Sequence, residues 1–510
     1  MNKRNKNLTK LGNYFFLSLS IIFFLYYLFN NLRTNIYEVL FIDERILIDD
    51  IYNVWLVEDL YGRFENISNT FLKNILIIFI EMAYGGDLRY GRLWSNVFII
   101  FIGPFTYISD TLVITASRVL NSILFFLGSY FLSKNIKNKE YLWISIFLIY
   151  SLPSVEYFHR IPKPDTLLAI FVGLGINYIL KKKYYLSIFF LAIATFIKIN
   201  SVVIFVLLWI FIFFESGENK VKLFFKSIFI TIGSLIIVNP ILIIPPVTIG
   251  ETKLPNFFNN YLNWITTQSS NGDEIIFSFQ NVFLWLETLS NFYRFPNYYI
   301  FGITFSLLII YISKKIFSSD DKLSNYFLII FFIYIIFYFG FIERQFTHYL
   351  HLPMTLLLIG YFRCKDFNKL NILSLLIIFS IGITGSFSNT SKFNSDVIFT
   401  ANSRYGYESI NNQDDAKELV NNVINSIENI YSKNPHLNTN LVNWHPDLFL
   451  PRNGVTYNST FFVREYWGEK DFVEDAVANS DIYVTYSNYQ VGNNIEKIKI
   501  ENFYIYFLKN

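Results

Sequence analysis

Residues 184–214 read YYLSIFFLAIATFIKINSVVIFVLLWIFIFF, and this stretch decides the fold. It is apolar almost throughout and carries one charged side chain, Lys198, followed closely by Asn200 and Ser201. A helix rises 1.5 Å per residue and a bilayer's hydrocarbon core is about 30 Å thick, so about 20 residues cross it. The run is too long for one crossing and too apolar for water. Its interruption at Lys198-Ile199-Asn200-Ser201 predicts two short or oblique helices with a break between them. A charge at membrane depth is costly, so Lys198 is also a candidate site residue.

Working outward, apolar runs recur at 14–30, 112–132, 141–158, 166–180, 224–244, 299–313, 326–342, 346–362 and 371–387. With the split pair these make eleven expected spans. The stretches 71–83 and 93–108 either add a hairpin of spans or lie in the interface. Glu81, Asp87, Arg89 and Arg92 punctuate them and favour the interface. Composition agrees: of 510 residues 53% are hydrophobic and 16% charged, against about 25% charged in a soluble domain. The mean hydropathy is +0.36. These values exclude an ordinary soluble enzyme and a disordered scaffold. A net charge of +3 is too small for a basic nucleic-acid surface, so no nucleic-acid partner is expected. One cysteine, Cys364, permits no internal disulfide and no thiol-based metal cluster.

Lysine and arginine orient the spans. Lys3, Arg4, Lys6 and Lys10 place the N-terminus in the cytoplasm, and the first run lacks the small-residue cleavage site of a signal peptide. Alternating from there, every expected inside loop is basic: Lys134, Lys137 and Lys139; Lys181, Lys182 and Lys183; Lys220, Lys222 and Lys226; Lys314, Lys315 and Lys322; Arg363, Lys365 and Lys369. Residues 31–111, 245–298 and 388–510 then face the outside of a cytoplasmic membrane, and residues 1–387 form the membrane domain. The tail is different material. Ala416, Leu419, Val420, Val423, Ile424, Ile427 and Ile430 share one face of an expected helix over 413–431. A helix over about 469–479 and alternating strands at 482–486 and 498–508 complete an expected small extracytoplasmic α/β domain. His445 and Asp447 in Trp444-His445-Pro446-Asp447 read as a loop turn or as ligands.

Four charged clusters fall on the outer side. Asp43-Glu44-Arg45 follows the first span, with Asp49 and Asp50 after it, and paired acids can divide the roles of base and charge partner. His159-Arg160-Ile161-Pro162-Lys163-Pro164-Asp165 is a proline-stiffened turn in which Asp165 can open the next helix. Lys198 either snorkels to the interface or binds an anion. Glu343-Arg344-Gln345-Phe346-Thr347-His348-Tyr349 is a basic, hydroxyl-bearing span end. Acid and cation at one interface suit a lipid-linked anionic substrate, because a water-poor cleft strengthens stabilisation of a departing phosphate.

At these residues the chain resembles the GT-C membrane glycosyltransferases, specifically the protein O-mannosyltransferase and lipid A aminoarabinose transferase superfamily (family 39). The likeness runs from about residue 40 to 215, with an echo at 344–362. Asp43-Glu44 matches the acidic pair of the first outer loop, followed by an amphipathic helix at about 46–60. Tyr90-Gly91-Arg92-Leu93-Trp94 stands where the family has a double proline, which is missing here. Arg118 opens a span, Lys163-Pro164-Asp165 resembles the "Arg-x-Asp" turn, and Ile197-Lys198 the "Thr-Lys" of the split pair. His348-Tyr349-Leu350-His351-Leu352-Pro353 approximates the late "Arg-Tyr-x-Leu-Pro".

The resemblance implies 11–13 membrane helices, a polyprenyl- or dolichyl-phosphate sugar as donor, and inverting transfer to an acceptor hydroxyl on a lipid, protein or glycan. Asp43 would be the general base, Glu44 its partner and Asp165 a second acid near the sugar. Lys198, Arg92 and Arg160 would bind the donor phosphate, and His348 and Tyr349 would line the donor site. The family leaves a divalent metal open, and the sequence requires none. Two other readings fit the same spans: a polysaccharide polymerase or O-antigen ligase using diphosphate-linked donors, and a transporter of lipid-linked glycans, which would show internal repeats and midplane charges.

Overall fold

The structure, a computed structural model, describes residues 3–32, 42–55, 68–84, 91–152, 155–239, 248–249, 252–253, 277–293, 295–342 and 347–364. Beyond these it describes helical positions 418, 422, 425, 426 and 429 and strands between residues 439 and 508. The chain forms two compact units. The first comprises Met1–Leu32, Ile67–Phe101 and Ala116–Thr390; the second comprises Arg33–Asn66, Ile102–Thr115 and Ser391–Asn510.

Helices in chain order are α1 (Lys3–Leu32), α2 (Ile42–Trp55), α3 (Thr70–Tyr84), α4 (Arg92–Ile102) and α5 (Asp110–Ser133). Then come α6 (Leu142–Ile149), α7 (Val155–Arg160), α8 (Pro164–Leu180), α9 (Tyr184–Ile197), α10 (Val202–Glu215) and α11 (Lys220–Val238). The last four described in full are α12 (Phe279–Phe292), α13 (Tyr298–Phe317), α14 (Lys322–Phe341) and α15 (His348–Arg363). Among the described residues five helices are long and apolar enough to cross a bilayer: Gly12–Leu32, Thr111–Ser133, Lys220–Val238, Tyr298–Phe317 and Lys322–Phe341. Their outward faces are apolar. On α13, Tyr299, Ile303, Leu307 and Ile310 are exposed while Phe301, Ile312 and Ile316 are buried. Such a surface suits lipid and not water, and the chain is a helical membrane protein.

Boundaries move where a cap dictates. Asn219 accepts from the N–H groups of Val221 and Lys222, so α11 starts ahead of the expected 224 and takes Lys220, Lys222 and Lys226 into its first turns. Asn297 likewise caps Tyr299 and Ile300. The expected single span 141–158 is instead two short helices, α6 and α7. The sequence between them holds Pro153, which has no N–H for the helical ladder. The run 184–214 breaks at Lys198, between α9 and α10. The expected span 371–387 and most of the tail lie outside the described residues.

α8 and α9 form a tight antiparallel pair. Between them Lys182 adopts a left-handed conformation (φ 57°), and the Lys183 N–H reaches back to the Tyr178 carbonyl at 2.9 Å, closing the helix end as a Schellman turn does. At 1.5 Å per residue the two helices are about 25 and about 21 Å long. The start of α8 and the end of α9 therefore meet at the same end of the bundle. α5 crosses α8 closely at Gly173, where an added Cβ would sit 2.7 Å from the Phe131 carbonyl carbon.

A buried ion pair ties three loops. Arg363, the last residue of α15, donates Nε to Asp321 Oδ2 at 2.7 Å and an Nη to Asp321 Oδ1 at 3.3 Å. Its other Nη donates to the Asn135 carbonyl at 2.6 Å, while Asn135 Nδ2 donates to the Gly173 carbonyl at 2.9 Å. Burial, and then Arg363 and Lys134, hold the neighbouring Lys139 ammonium below the ordinary lysine range. Arg363 and Asp321 side chains are 10% and 12% exposed, so Arg363→Ala is expected to cost about 3 kcal/mol, read as a fall in thermal midpoint in detergent. Arg363→Lys should not restore it, because an ammonium cannot reproduce the two-pronged contact.

In the second unit α2 buries Glu44, Leu47, Ile48, Ile51, Tyr52 and Val54, a helical spacing. The Trp55 carbonyl at its end accepts from the Tyr107 hydroxyl at 2.7 Å. Five strands of the tail, β3 (Thr439–Leu441), β4 (Tyr457–Asn458), β5 (Ile482–Thr485), β6 (Asn494–Ile500) and β7 (Phe503–Leu508), form one sheet in the order β4-β3-β5-β7-β6; β1 (Thr248–Ile249) and β2 (Thr252–Lys253) pair separately in the first unit. β3 runs parallel to β4 and β5. The alternating run ending at Leu508 is therefore not one strand: β6 and β7 make an antiparallel hairpin that pairs Ile500 with Phe503. Glu418, Asn422, Asn425, Ser426 and Asn429 are helical and are the polar complement of the expected apolar face over 413–431. The expected helix at 469–479, His445 and Asp447 lie outside the described residues.

Candidate functional site

The site grows from the two helix ends that the α8–α9 hairpin brings together. Lys163 is extended (φ −135°, ψ 144°) ahead of Pro164, which opens α8 and places Asp165 in the first turn. A carboxylate there is favoured by the helix dipole. α9 ends when Lys198 turns extended (φ −151°, ψ 112°), before a single 3-10 turn leads into α10. Ser201 steadies that break, its hydroxyl donating to the Lys198 carbonyl at 2.9 Å. The Lys198 ammonium then reaches both Asp165 oxygens, at 2.9 and 2.7 Å. The two side chains are only 9% and 14% exposed.

Aromatic rings from α14 and α15 close around this pair. The Lys198 ammonium lies 5.3 Å from the Tyr349 ring centroid, a cation–π distance. Tyr349 stacks on Tyr338 at 5.1 Å and 6°. The Tyr338 hydroxyl accepts from Asn200 Nδ2 at 3.4 Å, and the Tyr334 hydroxyl donates to the Asn200 carbonyl. Beside them His348 stacks on Tyr157 at 4.8 Å and 6°, and the buried Lys163 ammonium sits 5.1 Å from that tyrosine's centroid. A small cavity, with about 20 Å³ open to the centre of a water molecule, adjoins Asp165, Thr166, His348 and His351. That is room for about one water.

Arg92 enters from another direction. The Gly91 N–H donates to the Ile197 carbonyl at 3.2 Å, so this segment docks on the helix end that Lys198 terminates. An added Cβ at Gly91 would lie 2.2 Å from Val238 Cγ1 and 2.5 Å from the Phe196 carbonyl oxygen, and only glycine admits that approach. Arg92 is buried, with Nε donating to the Met82 carbonyl at 3.2 Å and its N–H to Asn239 Oδ1 at 3.3 Å.

Of the residues singled out in the sequence, the structure brings together Asp165, Lys198 and Tyr349, with His348 and the backbone at Gly91-Arg92 nearby. Arg160 is half-buried at the end of α7. Asp43 falls in α2, its side chain outside the described residues, and Glu44 is buried in the second unit. The anion-ligand and snorkelling readings of Lys198 both omit its pairing with Asp165. Tyr349 is committed to supporting the ammonium.

Sequence reasoning also missed the polar side chains that hold the turn at residues 158–166. Asn31 Nδ2 donates to Ser122 Oγ and to the His159 carbonyl, both at 2.8 Å, and Ser122 donates to the same carbonyl at 3.0 Å. Asn121 makes four further contacts to this turn. An asparagine and serine inside the apolar run 112–132 were the available signal, hidden by the asparagine-rich composition. Among the described residues no group of three or more His, Cys, Asp or Glu could hold a metal ion. Comparison of the chain with protein-family models, with curated proteins and with solved structures finds no match, and the site is read from its own geometry.

Proposed function

We propose that this protein is an inverting glycosyltransferase of the cytoplasmic membrane, working at the extracytoplasmic face on a polyprenyl-phosphate-linked sugar. The observation that carries the reading is the buried Asp165–Lys198 pair, set on a helix break within a bundle of apolar helices. An ammonium has three N–H donors. Asp165 takes two of Lys198's, and the third is available to an oxygen of the donor phosphate. In this reading Asp165 anchors and aims Lys198, a change from the role of second acid. In the reaction the acceptor oxygen attacks the anomeric carbon, and the lipid phosphate departs with the bonding pair. Asp43 takes the acceptor's proton. Lys198, with Arg92 and Arg160, balances the charge that grows on the phosphate. Glu44, buried on α2, supports Asp43. His348 and Tyr349 stand behind the lysine, and the C-terminal part, an α/β domain in this reading, receives the acceptor.

In membranes supplied with a labelled polyprenyl-phosphate sugar, the wild-type protein should move label to an acceptor. Lys198→Met should slow that transfer by about 10²-fold, the usual effect of removing one preorganised charge donor. No transfer from monophosphate donors, or transfer only from diphosphate-linked oligosaccharides, would overturn the proposal.

A further inference from the structure

Asn121 lies midway along α5 and is fully buried. Its Nδ2 donates to the carbonyls of Phe158 and of Ile161, the latter at 2.7 Å. Its Oδ1 accepts from the Lys163 N–H at 3.3 Å and faces the Thr166 hydroxyl at 2.9 Å, whose one hydrogen it shares with the Lys163 carbonyl, also at 2.9 Å. All four hydrogen-bonding positions of one amide are thus filled, two by the end of α7 and two by the start of α8. The intervening chain closes few bonds of its own: the Ile161 N–H donates to the Tyr157 carbonyl at 2.9 Å and the Thr166 N–H to the Lys163 carbonyl at 3.4 Å. Pro162 and Pro164 have no N–H to offer, while the end of a helix such as α7 leaves carbonyls in need of donors. Asp165 sits between the two residues held by Oδ1, Lys163 and Thr166.

We infer that Asn121 is the positioning residue of the site: its amide fixes where the Asp165 carboxylate stands and hence where Lys198 presents its remaining N–H. The inference rests on the reading of that pair as the donor-phosphate anchor. Contacts of 2.7 and 2.9 Å do not survive a displacement of about 1 Å, so a slack turn releases the ammonium. Asn121→Leu keeps the volume and removes all four bonds. Thr166→Val keeps the shape and removes the hydroxyl shared between Asn121 and the Lys163 carbonyl.

The test is run on the full-length protein in lipid nanodiscs, below its thermal midpoint. An amine-reactive ester reports the accessibility of Lys198 by peptide mass spectrometry, with Asp165→Asn as the reference for a released lysine. Asn121→Leu should label Lys198 about fivefold faster than wild type and raise the KM for the lipid-phosphate sugar about tenfold, with a smaller change in kcat. Thr166→Val should move both in the same direction by less, and it decides the matter if Asn121→Leu does not fold. Wild-type labelling and wild-type KM in folded variants, with only the thermal midpoint lowered, would overturn the inference. If the wild-type protein transfers no sugar yet Lys198 labelling responds to Asn121, the transferase reading fails and the positioning role stands.

Discussion

Asp165→Asn is expected to destabilise the protein by about 3–5 kcal/mol, the usual consequence of breaking a buried ion pair from one side. The penalty comes less from the lost attraction than from what is left behind. Lys198 is 9% exposed and both carboxylate oxygens of Asp165 are spent on it, so the amide variant strands an ammonium among apolar helices. Lys198→Met should cost a similar amount by stranding the carboxylate. The double variant Asp165→Asn/Lys198→Met leaves no uncompensated charge and should recover most of the loss, because buried pairs are often replaceable by neutral groups of similar size. Thermal unfolding in detergent of the two single variants and the double variant measures this. A double variant as unstable as the sum of the singles would show that the pair is not a closed unit. Recovery of stability without recovery of transfer separates holding the fold from holding the substrate.

Asp43→Asn should leave the melting behaviour unchanged and lower transfer by about 10²–10⁴-fold, the range for loss of a general base. Asp43→Glu should retain part of the rate, since it keeps the carboxylate and changes only its reach. Glu44→Gln provides the contrast. Glu44 lies on the same buried stripe of α2 as Leu47, Ile48 and Ile51, so its amide variant should appear mainly as lost stability. Initial rates with a labelled polyprenyl-phosphate sugar, normalised to folded protein, distinguish the two acids. Unchanged transfer in Asp43→Asn would remove it as the base.

The helical membrane architecture was legible because it rests on length and hydropathy, which residues 184–214 display without help from the rest of the chain. The break at Lys198 was legible for the same reason: a charge and two polar groups interrupt an apolar run. The fate of 141–158 was not, because the apolar α6 and the start of α7 with Val155, Tyr157 and Phe158 average to one span in a hydropathy window. Nor was the β6–β7 hairpin: the only mark between Ile500 and Phe503 is the polar pair Glu501-Asn502, with no glycine or proline to signal a turn. At the site, sequence offered Asp165 and Lys198 as separate candidates. Their separation of 33 positions becomes a contact only through the Lys181–Lys183 turn, which uses a left-handed lysine where glycine is the usual signal. Asn121, Ser122 and Tyr338 act through geometry alone. Nothing in their residue type sets them apart in a chain rich in asparagine, serine and tyrosine.

The central claim is that the buried Asp165–Lys198 pair anchors the phosphate of a lipid-linked sugar, with Lys198 presenting its remaining N–H to it. Binding of a labelled polyprenyl-phosphate sugar to the protein in lipid nanodiscs, compared between wild type and the folded double variant Asp165→Asn/Lys198→Met, tests it most directly. The account predicts binding to wild type and an affinity lower by about tenfold or more in the double variant, the scale of losing one charge-assisted contact. Equal affinity in the two folded proteins would contradict it.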